Sequence, residues 1–343
     1  MKKSVFITGG AGFIGSNFVR YLFEQYPDYR IIVLDALTYA GNPENIPEKI
    51  KTNDRFTFWY GNVNNMALVN NLAGSADIVI HFAAESHVAR SIFDNRLFYE
   101  TDVLGTQSVA NAVLAHDTNI ERFIHISTSE VYGTAESEVM TEEHPLNSST
   151  PYASAKAGAD RLVYSYWKTY GLPAVILRPF NNYGAYQHLE KVIPRFITHA
   201  ILDEPLTIHG DGRNTRDWIY VDDVCRAIDR TMHCDLDKVK GKVINIGTGR
   251  DIDVLTIARM VLDKMNKTQS LITHMHDRPG QVKRHIASTQ KAARLLGWKA
   301  ETPFEQGLEK TIQWYCHNRD WWTKMLWMRH VPILMKDGKI EMH

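Results

Sequence analysis

The segment TPYASAK holds Tyr152 and Lys156 four residues apart, a spacing that puts both side chains on one face of a helix. A phenol and an ammonium that converge on one small volume make a base, because the cation favours phenolate and lowers the tyrosine pKa. Tyr152 would then take the proton of a hydroxyl group. A second polar group begins 24 residues before Tyr152, where STSEVYG sets Thr128, Ser129 and Glu130 directly after the apolar run RFIHI. A carboxylate carried out of the core on a strand end is a second candidate base.

A third constellation, TGGAGFIG, spaces Gly9, Gly12 and Gly15 at intervals of three between the strand-like VFIT and the helical FIGSNFVRYLFEQY. Glycines in that context allow a tight turn and a close backbone approach to a diphosphate, whose charge meets the helix N-terminus. Asp35 ends the run RIIVLD, 20 residues after Gly15, where a carboxylate accepts hydrogen bonds from a ribose diol and repels a 2′-phosphate. The expected cofactor is therefore NAD rather than NADP. Phe13 and Ile14 in the same turn, and Ala83 after IVIHF, complete the candidate cofactor wall. Asn62, after FTFWYG, either reaches the adenine edge or makes a strand-end turn.

These residues need elements that bring them together. The runs VFIT, RIIVLD, RFTFWYGNV, DIVIHFAA, RFIHIST and AVILR are short, apolar and without polar alternation, which reads as strands buried on both faces. Helical patterns such as LFYETDVLGTQSVANAVLAH separate them, and residues 151–170 form another helix. Strands alternating with helices predict an α/β fold, a doubly wound parallel sheet. After about residue 183, prolines at 194, 205, 279 and 303 and turns such as HGDGRN break the chain into shorter elements. VINIG reads as a late return strand. The expected division is a cofactor domain of residues 1–182 with a return segment near 218–248, a smaller interwoven α/β substrate lobe of 183–217 and 249–330, and a tail of 331–343.

The 343 residues carry 39 basic and 39 acidic side chains. That balance argues against a nucleic-acid groove or an anionic membrane surface as partner. No apolar run approaches the roughly 18 residues a bilayer crossing needs, and the start MKKSVFITGG is too short for a signal sequence. Cys225, Cys234 and Cys316 have no CxxC spacing, which fits a reduced cytoplasmic chain. The 15 histidines form no HxxxH or HExxH pattern, so no metal is expected.

With YxxxK behind a polar strand end and a glycine-rich opening, the chain resembles the extended short-chain dehydrogenase/reductases that act on nucleotide sugars, with a Rossmann cofactor domain. LDALTYAGNPENI, HFAAESHVARSI, RPFNNYGAYQHLEKVIP, GDGRNTRDWIYVDD, DRPGQVKRH and WYCHNRDWW make it most similar to the sugar 4,6-dehydratases of the dTDP-glucose type. The resemblance implies that Tyr152 deprotonates the sugar 4-OH while hydride leaves C4 for NAD⁺. It places Thr128 near the same oxygen and Lys156 on the nicotinamide ribose. Glu130 then abstracts the C5 proton, the 6-OH departs as water, hydride returns to C6, and C5 is reprotonated.

Ser129 departs from that pattern, because the dTDP-glucose enzymes carry an aspartic acid there to protonate the departing 6-OH. A serine hydroxyl is too weak an acid for that, so either Glu130 carries the proton across or water fills the gap. Ala89 and Ala185 also depart from the usual residues, and all three changes bear on which sugar and base are bound. Thr-Ser-Glu resembles the triple of GDP-mannose and some UDP-N-acetylglucosamine 4,6-dehydratases, and STSEVYG also occurs in UDP-glucuronate decarboxylases. Those decarboxylases, and 4-epimerases, share the C4 oxidation and are the alternative reading. A non-catalytic dinucleotide-binding protein is a third, which the intact Thr128, Glu130, Tyr152 and Lys156 oppose.

A nucleotide diphosphate sugar needs cations, and the resemblance assigns Arg216 and Arg278, on loops of the second lobe, to its diphosphate. It matches Asn182 and Lys191 to the diphosphate and base site, with Asn245 as a further candidate. For each of these a solvated cation or a turn residue is the competing reading. Glu85, Ser86 and His87 follow a strand at its carboxyl end, where open α/β sheets bind ligands; His87 either meets the sugar or is structural. The tryptophan-rich segment WYCHNRDWWTKMLW reads as packing. The resemblance further implies a homodimer paired through helices near residues 102–116 and 155–168.

Overall fold

The computed structural model describes residues 3–277, 279–335 and 337–342, so Arg278 lies outside the described residues. The first half of the chain supplies strands β1 (Ser4–Thr8), β2 (Arg30–Asp35), β3 (Phe56–Tyr60), β4 (Ile78–His81), β5 (Arg122–Ile126) and β6 (Ala174–Pro179). The second half adds β7 (Asn181–Tyr183), β8 (Leu206–His209), β9 (Thr215–Tyr220), β10 (Val243–Ile246), β11 (Asp251–Asp253), β12 (Ile272–Met275), β13 (Pro332–Leu334) and β14 (Ile340–Met342).

Seven of these form one parallel sheet in the order β10-β6-β5-β4-β1-β2-β3. VINI is the expected return strand, pairing Val243 with Ile176 on β6. Strand order reverses beside β1, which pairs with both β2 and β4. A crevice opens there at the strands' carboxyl ends.

Two apolar layers cover the sheet. Phe18, Val19 and Leu22 of helix Phe13–Gln25 and Val224 and Ile228 of helix Val221–His233 pack on one face. Val109 and Val113 of helix Gly105–Ala115 and Val163 of helix Pro151–Tyr170 pack on the other. Each fully buried Val, Leu, Ile or Phe contributes about 1.5–3 kcal/mol. The helix before Gly105 is not uniform, since Tyr99–Leu104 forms a π-helical turn, a feature often found at functional sites.

The second half of the chain, from β7 onward, forms a three-stranded sheet, β11-β9-β7, and a parallel pair, β12-β8. Its core gathers Phe196, Ile257, Tyr315 and Trp322. The tryptophan-rich segment packs, with Trp322 Nε1 donating to the Tyr315 carbonyl at 2.8 Å and Trp321 Nε1 to Asn45 Oδ1 at 3.0 Å. The patternless tail is ordered as an antiparallel hairpin of β13 and β14, whose Val331 and Ile333 bury against Ala89. No described helix is long and apolar enough to cross a membrane.

Candidate active site

A cavity of about 390 Å³ occupies the crevice. Gly9, Gly12, Phe13, Ile14, Gly15, Asp35, Asn62 and Ala83 line one side of it. Gly9 has φ +71°, and a Cβ there would sit 2.6 Å from the Ala83 nitrogen. A Cβ on Gly15 would lie 2.2 Å from the Gly9 carbonyl oxygen. Gly12 caps helix Phe13–Gln25 without a side-chain acceptor, so no cap consumes the first-turn N–H groups, and they suit a diphosphate. Asp35 accepts from the Ala11 and Leu37 nitrogens, each at 2.8 Å. Burial raises its pKa against those two bonds, and its other lone pairs suit a ribose diol. This wall fits a dinucleotide such as NAD. Asn62 Oδ1 accepts from the Asn64 nitrogen at 2.8 Å, so its carbonyl makes the strand-end turn.

The opposite side carries Thr128, Ser129, Glu130, Tyr152 and Lys156. β5 stops at Ile126, and Ser129–Tyr132 winds into a 3₁₀ turn capped by Thr128, whose side chain accepts from the Glu130 nitrogen at 3.2 Å. This turn aims the polar triple into the cavity. Thr150 caps helix Pro151–Tyr170 by accepting from the Ala153 nitrogen, with Pro151 in its first turn, a combination favoured at helix starts. Tyr152 therefore enters at the helix N-terminus, its backbone N–H donating to Ser91 Oγ at 3.1 Å.

The Tyr152 phenol is raised, not lowered as the spacing to Lys156 predicts. Burial is the main cause, the Asp102 and Glu130 carboxylates push the same way, and the Thr128 hydroxyl alone opposes them. The Lys156 ammonium donates instead to the Ile126 carbonyl at 2.8 Å, and burial lowers its pKa. Asp102 sits in the π-helical turn, fully buried, with Oδ1 accepting from the Glu85 nitrogen at 2.8 Å. Burial raises that carboxyl, and Lys156 opposes the rise.

The cavity continues between the lobes along Glu85, Ser86, His87, Asn182, Lys191 and Arg216. Arg216 lies within β9 rather than on a loop, buried, with Nη1 donating to the Thr215 carbonyl at 2.9 Å. Lys191 Nζ donates to the Ser86 carbonyl at 2.6 Å. Asn182 Nδ2 donates to the Phe180 carbonyl at 2.8 Å, while its buried Oδ1 takes no hydrogen bond from the described residues.

Asn245 stands apart from this wall. Its side chain accepts from Tyr132 Oη at 2.7 Å and donates to the Met140 carbonyl at 2.9 Å. It belongs to a buried network in which Arg178 grips Asp160 through two bonds of 2.8 and 2.9 Å. Its spacing before IGTG gave no sign of those partners.

Sequence reasoning missed Glu190, a buried carboxylate on the cavity wall. Arg90 Nε lies 2.8 Å from it, His188 Nδ1 3.7 Å and His87 Nδ1 3.9 Å. Burial opposes ionisation, but His87, His188, Lys191 and Arg90 outweigh it and hold the pKa at about 2. Glu190 thereby stays ionised beside His87. The adjacent Lys191 was the only available pointer.

The GDP-mannose 4,6 dehydratase family model matches residues 6–311. The low-salt glycan biosynthesis protein Agl12 of Haloferax volcanii is 43% identical over 312 residues, covering 91% of this chain and 98% of that protein. A dTDP-glucose 4,6-dehydratase of Mycobacterium tuberculosis is 40% identical over 320 residues, covering 92% of this chain and 94% of its own. Among solved structures, DesIV, a dTDP-glucose 4,6-dehydratase from Streptomyces venezuelae crystallised with NAD, superposes with a TM-score of 0.89 at 39% identity, over 94% of this chain and 99% of its own. On that match, this chain is a member of the GDP-mannose 4,6-dehydratase family.

Proposed function

We propose that the protein is an NAD-dependent nucleotide-sugar 4,6-dehydratase of the dTDP-glucose type, converting a nucleotide-linked hexose to its 4-keto-6-deoxy form with loss of water. The observation that carries this reading is the meeting of Tyr152 and Glu130 on one cavity whose far side is the Gly9–Gly15 turn and Asp35. Two bases in one chamber suit a reaction that deprotonates a hydroxyl and then the carbon beside a ketone.

NAD held by the Gly9–Gly15 turn and Asp35 would supply a hydride acceptor for C4 and a hydride donor for C6, where C5 is then reprotonated. Tyr152, a phenol at rest, takes the 4-OH proton as phenolate once the charge of an oxidised nicotinamide ring lowers its pKa, with the Thr128 hydroxyl steadying that charge. Lys156, fixed to the strand end, holds the ribose beside them. Glu130 takes the C5 proton once C4 is a ketone and that proton has become acidic. Arg216 and Lys191 supply charge for the substrate diphosphate, and Asn182 Oδ1 supplies an acceptor to the nucleotide. The first 182 residues chiefly serve the cofactor, with Asn182 at the boundary, and the lobe of 183–217 and 249–330 serves the nucleotide. A UDP-glucuronate decarboxylase would set a C6 carboxylate against Glu130, which disfavours that alternative.

A homodimer is part of this reading. Leu104, in the helical segment expected to pair, and Leu97 and Tyr99 just before it are at least 40% exposed, an apolar surface that suits a second copy. The net charge of zero and the free cysteines suit a cytoplasmic setting.

The test is incubation with dTDP-glucose, UDP-glucose, UDP-N-acetylglucosamine, GDP-mannose and UDP-glucuronate in turn, read by mass spectrometry. Loss of water from one of the first four supports the reading. Loss of carbon dioxide from the last, or five unchanged substrates, rejects it.

A further inference from the structure

Elimination of the 6-OH needs a proton at the leaving oxygen, and Ser129 holds only a hydroxyl beside the cavity. Behind Ser129 stands the last residue of DRPGQVKRH, to which the sequence assigned no role. His285 is fully buried, with Nδ1 3.4 Å from Ser129 Oγ and 3.8 Å from Glu130 Oε1. Its other nitrogen, Nε2, lies 2.7 Å from the Gly133 carbonyl oxygen. A carbonyl can only accept, so Nε2 carries the hydrogen and Nδ1 presents a lone pair to Ser129 and Glu130.

The ring is held firmly. On one side the His285 backbone nitrogen donates to the Thr215 carbonyl at 3.1 Å and the Ala135 backbone nitrogen to the Arg284 carbonyl at 3.0 Å. On the other, the Met140 nitrogen donates to the Ile286 carbonyl at 2.8 Å, and the Phe180 ring meets the imidazole edge to face.

We infer that His285 is a proton relay for the elimination step, a positioning residue that acts through Ser129. This rests on the dehydratase reading above. The C5–H bond breaks, its proton passing to the Glu130 carboxylate and its electrons forming the C5–C6 double bond. Glu130 hands that proton to Nδ1. Nδ1 gives it to the Ser129 oxygen as the Ser129 hydrogen moves to the 6-oxygen, and the C6–O pair leaves with water. One proton enters the relay and one departs, so all three side chains end as they began. The separations of 3.4 and 3.8 Å are long for hydrogen bonds, as catalytic contacts commonly are before substrate binds.

The charges around the ring suit a carrier rather than a store. Burial is the main influence and lowers the pKa to about 4, Arg216 and His144 adding to it, while Glu130 and the Gly133 carbonyl oppose. The imidazole thus rests neutral, ready to receive.

The test compares His285→Gln in the native background with His285→Gln beside Ser129→Asp, which supplies a carboxylic acid directly. His285→Gln should lower kcat by roughly 10²–10³ with KM nearly unchanged, and reduced cofactor should build up because C4 oxidation precedes the relay. In the Ser129→Asp background the same change should cost less than about tenfold in kcat, because a direct acid replaces that help. Nitrogen NMR of the native protein should show the Nε2-protonated ring at neutral pH, a readout independent of any variant's folding. The inference is overturned by a His285→Gln kcat within twofold of native, by equal losses in both backgrounds, by loss of the first reduction as well, or by an Nδ1-protonated ring. A native protein that never reduces its cofactor with any sugar nucleotide would instead remove the dehydratase reading itself.

Discussion

The ammonium of Lys156 is tied to the carbonyl oxygen of Ile126 at 2.8 Å, so the helix that carries Tyr152 is pinned to the strand that delivers Thr128 and Glu130. One buried cation thereby fixes the relative positions of both proposed bases. Lys156→Met removes the donor to that carbonyl and the positive charge proposed to hold the ribose. Loss of a charged partner from a buried hydrogen bond costs about 1.5–3 kcal/mol. The expected outcome is a fall in kcat/KM of at least about a hundredfold with weaker cofactor retention, checked by steady-state kinetics and by the NAD that survives gel filtration.

Glu130→Gln separates the two halves of the reaction. The glutamine preserves shape but cannot take the C5 proton, so water loss should stop while the cofactor still becomes reduced on adding substrate. Tyr152→Phe should block that first reduction too. Absorbance of reduced nicotinamide, followed beside product mass, distinguishes the two variants, and normal product from Glu130→Gln would defeat its assigned role.

Gly15→Ala tests the turn. The added methyl would sit 2.2 Å from the Gly9 oxygen, forcing the loop to shift at a cost of about 1–3 kcal/mol. Purified protein should carry little NAD and melt at a lower temperature, as measured by calorimetry with and without added cofactor.

Acid should destabilise the fold through its buried histidines, an effect that the raised Asp102 carboxyl opposes only in part. Burial lowers the pKa of His81 to about 3 and those of His199 and His285 to about 4, whereas each titrates near 6.5 in the unfolded chain. Between those values the unfolded state binds more protons, so stability is full above about pH 6.5 and falls as pH drops towards 4. Denaturant titrations at pH 7 and pH 5 should differ by a few kcal/mol, and a flat profile would contradict the neutral burial of these rings.

The C-terminal hairpin should matter to the substrate. Ile333 is fully buried, lines the cavity and packs with Val331 against Ala89. A two-stranded hairpin is marginal by itself, so this apolar contact is what seats it. Removal of residues 331–343 should raise KM for the sugar nucleotide about tenfold and leave NAD binding intact, whereas Ile340→Ala on the exposed side should change neither. Unchanged KM after truncation would show that the hairpin is no part of the substrate wall.

The sequence by itself determined the parallel sheet, the glycine turn with Asp35, and the pairing of STSEVYG with the tyrosine helix. The first two are local, since apolar runs and turn residues act within a few positions of the chain and their periodicity reads directly as strand or helix, and the third is a motif pair 24 residues apart. Only the tertiary structure decided which distant polar groups meet. It joined His285 to Ser129, 156 residues away, gathered Arg90 and His87 around Glu190, drew Asn245 out of the cavity and into the Tyr132 network, and folded Ile333 back over the helix that follows His87. It also reversed the expected direction at Tyr152, since a pKa depends on the burial and charges that surround a group in space. Chain spacing carries no record of either.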